Sequence, residues 1–279
     1  MVDLVRFVAA MTNKISIDGI EYEFPAQPGV LGQLTAEFKT ENPDIRKVSG
    51  LVNDDLGLAA EVVKSANSPY FGVSGRIGSV QQAVYFLGLA QVFSLVNGVM
   101  LRRVFPRNDL LMDQLWDNSS TRGAIMARLA RNVSVPMDRA YTVGLFQDCG
   151  VAVLSARFPN YRMTWEQICW LPSSTSVEQG EYKIDHPMLS ALLVARWGLS
   201  EEIGHAVRLH HDIDQLDALE VTDQTKILVS LSVLANFVLA RALSQNASLW
   251  KASFAQASTM LNVPLVVAEK WAEQASLYL

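Results

Sequence analysis

From Pro28 onward the chain places apolar side chains three or four positions apart, a spacing that leaves packed helices as almost the only way to bury them. Val30, Leu31, Leu34 and Phe38 open the pattern, and Ile45, Val48, Leu51 and Val52 repeat it after the break at Asn42-Pro43-Asp44. Further breaks fall at Ser68 to Gly78, at Gly88, at Pro136, at Pro159, at the loop-like stretch Leu171 to Gly180 and at Gly198. Strand alternation is convincing only around Asp18-Gly19, which predicts a small hairpin over residues 14–24. The sum is an all-α, two-lobed bundle of about a dozen helices with that one hairpin. The cluster Pro106-Arg107-Asn108-Asp109 is the best boundary, giving an N-terminal helical lobe over residues 1–108 and a second helical lobe over 109–279.

Composition narrows the function. Half of the residues are apolar and 18% are charged, which fits a large core. The net charge of −5 argues against a broad nucleic-acid surface, and Arg102, Arg103 and Arg107 read as a solvated helix end. Cys149 and Cys169 are too few for a disulfide framework and suit a reducing cytoplasm. The opening residues do not read as a secretory signal, and the apolar stretch from Ile227 to Leu243 reads as a buried helix rather than a membrane span. Phosphate-loop, dinucleotide and nucleophile-elbow motifs are missing from the sequence. Any metal chemistry has to be built from carboxylates and four histidines, His186, His205, His210 and His211.

The segment from Tyr141 to Arg157 reads as one helix with apolar residues on every face, which belongs at the centre of a fold. Gln147 and Asp148 interrupt it, and a buried carboxylate needs a partner. Asp148 therefore either bridges neighbouring helices or is a metal ligand or its remnant. His210 and His211 are adjacent on the next helix but one, so their side chains should diverge by about 100°. Two readings stand for them, helix-end cations and ligands. His186 follows Asp185 at a helix start, where a neutral ring is favoured. His205 should be exposed, and Cys149 is a core cysteine.

Six segments, in order, resemble the HDOD family, a bacterial signalling relative of the HD-domain phosphohydrolases. FPAQPGVLGQL is similar to the family's opening segment. LVNDDLGLAAEVVKSANSPYFG carries the hallmark Asn67, Ser68 and Tyr70, with Asp55 where the family usually has proline. IGSVQQAVYFLGLAQVFSLV, LWDNSSTRGAIMARLA, VGLFQDCGVAVL and DHPMLSALLVARWGLSEEIGHAVRLHH follow. The resemblance covers roughly residues 24 to 215 and implies an HD-like helical bundle.

Its departures bear on activity. Active HD enzymes hold metal with a histidine where this chain has Asn118, a His-Asp pair where it has Gln147-Asp148, and a late aspartate loosely aligned with Asn236. Asp148, His186, His210 and His211 remain as a vestigial ligand set, too few for two metals and enough for at most one divalent ion. The resemblance thus implies a stand-alone, non-catalytic signalling module. No catalytic residue is assigned. It would bind a partner protein or small effector in trans, with a homodimer left open and no membrane or nucleic acid as partner. The alternative is an HD-type phosphohydrolase acting on a nucleotide or phosphodiester. Asn67, Ser68 and Tyr70 should stitch the lobes together. The expected pocket is the cleft beside Asp148 and His210.

Overall fold

A computed structural model describes residues 13–73, 75–105, 110–172 and 175–277. The predicted boundary cluster Pro106–Asp109 lies outside the described residues, as do Arg107 of the basic cluster and the opening residues 1–12. The described residues are almost entirely helical, with one two-stranded hairpin, β1 (Lys14–Ile17) and β2 (Ile20–Glu23). Asp18 and Gly19 both take positive φ, 49° and 80°, the geometry a tight two-residue hairpin turn demands.

The chain divides into two compact units, Ala26–Arg107 and Met1–Pro25 together with Asn108–Leu279. The hairpin thus belongs with the C-terminal unit, not with the N-terminal lobe where sequence order placed it. Tyr22 explains this: it is fully buried, its hydroxyl donates to the carbonyl of Tyr182 at 2.6 Å, and its ring meets Phe158.

The first unit holds α1 (Gly29–Phe38), α2 (Ile45–Asn53), α3 (Leu56–Ala66), α4 (Val80–Leu87) and α5 (Leu89–Val104). Asp44, Asp55 and Ser79 cap α2, α3 and α4 through side-chain oxygens. Asp55, in the place of the usual proline, is also the ion-pair partner of Arg103 at 2.5 Å, so that arginine is not a free phosphate ligand. Asn67 ends α3, and its side chain bonds Val63 and both backbone groups of Ile77. All of these partners lie in residues 26–107. Asn67 therefore ties the irregular segment after α3 back onto its own unit, so this side chain does not act as the predicted stitch between lobes. Tyr70 is buried in the same unit, and Ser68 is half-buried.

The second unit continues with α6 (Leu110–Ala130), α7 (Met137–Phe146), α8 (Gly150–Arg157), α9 (Tyr161–Ile168), α10 (Thr175–Tyr182), α11 (His186–Arg196), α12 (Glu201–Arg208), α13 (Asp223–Ala242), α14 (Lys251–Met260) and α15 (Leu265–Ser276). Helix α13 is the central member, packed against α6, α7, α12, α14 and α15. Among the described residues it is the one helix long and apolar enough to cross a membrane, and 72% of its apolar window is buried within the fold.

Three local expectations are corrected here. The helix predicted from Tyr141 to Arg157 breaks at Gln147-Asp148-Cys149. Gly150 fixes the break: its N–H donates to Ser190 Oγ at 2.8 Å, and a Cβ there would stand 2.2 Å from the carbonyl oxygen of His186. The loop-like stretch up to Gly180 contains α10, whose Glu178 is completely buried. Helix α12 ends at Arg208, so His210 and His211 sit in the turn beyond it and are not held at the helical angle.

Candidate functional site

The site is assembled from one helix break, one helix start and one helix end. The break between α7 and α8 presents Asp148, the first residue of α11 presents His186, and the turn after α12 presents His210 and His211. Ring centroids of His210 and His211 lie 4.1 Å apart, and His186 lies 5.4 and 5.2 Å from them. The convergence of the two adjacent histidines depends on the turn, since on a continuing helix they would point apart.

All four residues can offer one donor atom within 4.8 Å of the others. Asp148 Oδ1 lies 3.4 Å from His210 Nε2 and 3.6 Å from His186 Nε2. Donors around a tetrahedral ion with bonds of about 2.1 Å stand about 3.4 Å apart, so these separations fit a metal between them.

The rings are oriented from behind. Nδ1 of His210 lies 2.7 Å from the carbonyl oxygen of Val207, and Nδ1 of His211 lies 2.7 Å from that of Pro172. Nδ1 of His186 lies 2.7 Å from Glu178 Oε2. Carbonyl and carboxylate oxygens only accept, so each Nδ1 carries the proton and each neutral ring keeps its lone pair on Nε2. Nε2 of His186 and His210 is buried without a hydrogen bond. An acceptor nitrogen left open in the interior, braced by an acceptor on its far side, is the arrangement metal-ligating histidines require.

Glu178 is the residue that sequence reasoning missed. It accepts from the Tyr161 hydroxyl, the backbone N–H of His186 and the His186 ring. Burial alone would push the His186 pKa down, but the Glu178 carboxylate outweighs it and the pKa is raised. His211 goes the other way: burial, then the neighbouring His210 and His186, hold its pKa well below the ordinary histidine value. His205 stands apart, half-buried and 3.9 Å from Glu201.

The other oxygen of Asp148 faces a different environment. Arg122 Nη1 lies 2.8 Å from Oδ2, and Arg122 Nε donates to Asn236 Oδ1 at 2.6 Å. Burial by itself would raise the Asp148 carboxyl; Arg122, then His210 and His186, hold it far below the usual carboxylate range. Arg122 reaches this position because α6 and α7 cross in close contact. A Cβ on Gly144 would stand 2.6 Å from Gly123 Cα, so only glycine allows the approach.

A cavity of about 280 Å³ opens onto this second side, within the C-terminal unit. Asn118, Arg122, Asp148, Trp165, Cys169 and Gln245 are among its walls, and none of the histidines lines it. Gln147 is turned away: its Oε1 accepts from Ser232 on α13 at 2.6 Å. The Cys169 thiol is pushed up to about 11 by burial and by Asp148, so it is not poised as a nucleophile.

The HDOD domain family model matches residues 24–213. An uncharacterized protein of Treponema pallidum is 25% identical over 224 residues, covering 78% of this chain and 42% of that protein. The uncharacterized protein YuxH of Bacillus subtilis is 26% identical over 115 residues, 41% of this chain and 28% of that one. The chain thus spans less than half the length of the curated relatives it matches. Among solved structures, an HDOD domain protein with unknown function from Geobacter sulfurreducens superposes with a TM-score of 0.67 at 20% identity, over 99% of this chain and 97% of that chain. A Shewanella amazonensis SB2B protein named as a "putative phosphohydrolase" superposes with a TM-score of 0.70 at 19% identity, over 91% and 92%. At these identities the likeness establishes a shared helical fold.

Proposed function

The chain belongs to the HDOD domain family, and from that premise we propose that it is a non-catalytic signalling module that binds a small effector or a partner protein in trans. The observation that carries this reading is the lining of the cavity beside Asp148. Hydrolysis on a metal needs an open coordination position that holds water against a substrate. Here the cavity beside Asp148 is walled by Arg122, Asn118, Trp165 and Glu166, and the three histidines are not among its lining residues. A small molecule in the cavity meets the Arg122–Asp148 pair, the Glu166 carboxylate and neutral carboxamides, and the three imidazoles do not line it. The cavity is therefore suited to recognition. The two free cysteines are in keeping with a cytoplasmic location.

The four converging residues fit one divalent ion. Asp148, His186, His210 and His211 would hold it, and such an ion would supply Lewis acidity or simply fix the three helix ends. That convergence favours a second reading, a phosphohydrolase with a single metal.

One preparation tests both. Protein purified without a histidine tag and without chelators is assayed for metal content and for hydrolysis of bis-p-nitrophenyl phosphate with added Mn²⁺ or Zn²⁺. The signalling reading expects no turnover above that of His210→Ala. Turnover that this variant abolishes would overturn it. A thermal-shift screen of small metabolites should give a hit that the cavity-filling Asn118→Trp abolishes.

A further inference from the structure

The second oxygen of Asp148 supports an inference that rests on the reading of a one-ion site. Two cation positions flank this carboxylate. Oδ1 faces the open nitrogens of His210 and His186 at 3.4 and 3.6 Å, and Oδ2 faces Arg122 Nη1 at 2.8 Å. A carboxylate that bridges two metal ions divides its oxygens in the same way, with the ions about 3.5–4 Å apart. We propose that the Arg122 guanidinium is a built-in cation that takes the second metal position and limits the site to a single ion.

The guanidinium is fixed at both ends. Arg122 is 5% exposed, with Nη1 on Asp148 and Nε on Asn236 at 2.6 Å. The Gly123–Gly144 contact between α6 and α7 sets the depth at which it enters. Carboxamides stand near it, Asn118 one turn earlier on α6 and Asn236 on α13, and Glu166 lines the same cavity. Amides can solvate an arginine but bring no negative charge. A second divalent ion would place its charge beside the guanidinium on the same carboxylate, and like charges a few ångströms apart in a buried site repel strongly.

The test restores ligands with and without the arginine. Asn118→His with Gln147→His adds two imidazoles at the positions where the family's enzymes have them. Zinc per chain is counted by elemental analysis and by calorimetric titration. We expect one ion in the wild type and still one in the double variant. Adding Arg122→Met, which keeps the volume and removes the charge, should raise the count to two. Two ions with Arg122 in place would overturn the proposal, as would a folded triple variant that gains none. Circular dichroism checks folding, and Arg122→Gln replaces Arg122→Met if the latter does not fold. No ion in the wild type would sink the one-ion reading by itself. The difference between double and triple variants still decides the role of Arg122.

Discussion

Asn67 in the first unit and Asp148 in the second each tie chain segments together through a polar side chain, and they are finished differently. Asn67 spends its side chain on Val63 and on both backbone groups of Ile77, at 2.8–2.9 Å. Every bond returns to the same unit, and the result is a closed structural tie. Asp148 is closed on one side only. Arg122 Nη1 forms an ion pair with Oδ2 at 2.8 Å, while Oδ1 faces two buried imidazole nitrogens that have no hydrogen bond. The difference teaches that family hallmarks need not share a purpose. One holds a loop to a helix, and the other keeps coordination capacity in reserve.

The comparison breaks most visibly at Arg122. Removing one member of a buried ion pair costs about 3–5 kcal/mol because the other charge is left without compensation. Arg122→Met should lose about that much unfolding free energy in the presence of a chelator, measured by urea denaturation. Zinc should return part of it, since an ion on the histidine side would offset the Asp148 charge. A variant as stable as the wild type in chelator would show that Asp148 does not depend on Arg122. Next in size is Glu178→Gln, which keeps the shape but weakens the brace behind His186. Loss of such a partner lowers metal affinity about 10–100-fold. Competition against a chromophoric zinc chelator measures it, and the nitrogen chemical shifts of His186 should report loss of the fixed tautomer. Unchanged shifts and affinity would mean that Glu178 only packs.

Much of this centre was legible in the sequence, and the remainder was hidden for definite reasons. The resemblance to HD enzymes picked out Asp148, His186, His210 and His211, and the structure brings all four together. Periodicity could not see that α12 stops at Arg208, because nothing local separates Leu209 from the helix before it. That end is what lets the last two histidines converge. Glu178 was hidden in a stretch rich in serine and glycine, where low apolar content reads as loop. Its burial is sustained by three donors from distant residues. Arg122 had a readable signal: it follows Asn118 by four positions on a helix and so shares its face. Asn236, loosely aligned with the family's late aspartate, lies beside it after all. The break at Asp148 depends on Gly150 meeting His186, a contact no single-segment reading contains.

The N-terminal unit offers the smaller and sharper contrasts. Asn67→Ala removes three hydrogen bonds and leaves both backbone groups of Ile77 without their partner, a loss of about 2 kcal/mol. Zinc binding should not change, because its effects stay among residues 63–77. Weakened zinc binding in a folded Asn67→Ala protein would show that the two centres are coupled. Ser79→Ala is the finest probe. Ser79 caps α4 through one exposed bond from the Gln82 N–H at 3.1 Å, two residues beyond Ile77. Losing such a cap costs about 0.5–1 kcal/mol. Both residues hold the same irregular segment, one by a closed set of bonds and the other by a single surface bond. Urea denaturation should therefore rank Asn67→Ala below Ser79→Ala in stability. Equal losses would mean that water replaces the bonds of Asn67, and that its side chain is no more a tie than a solvated helix cap.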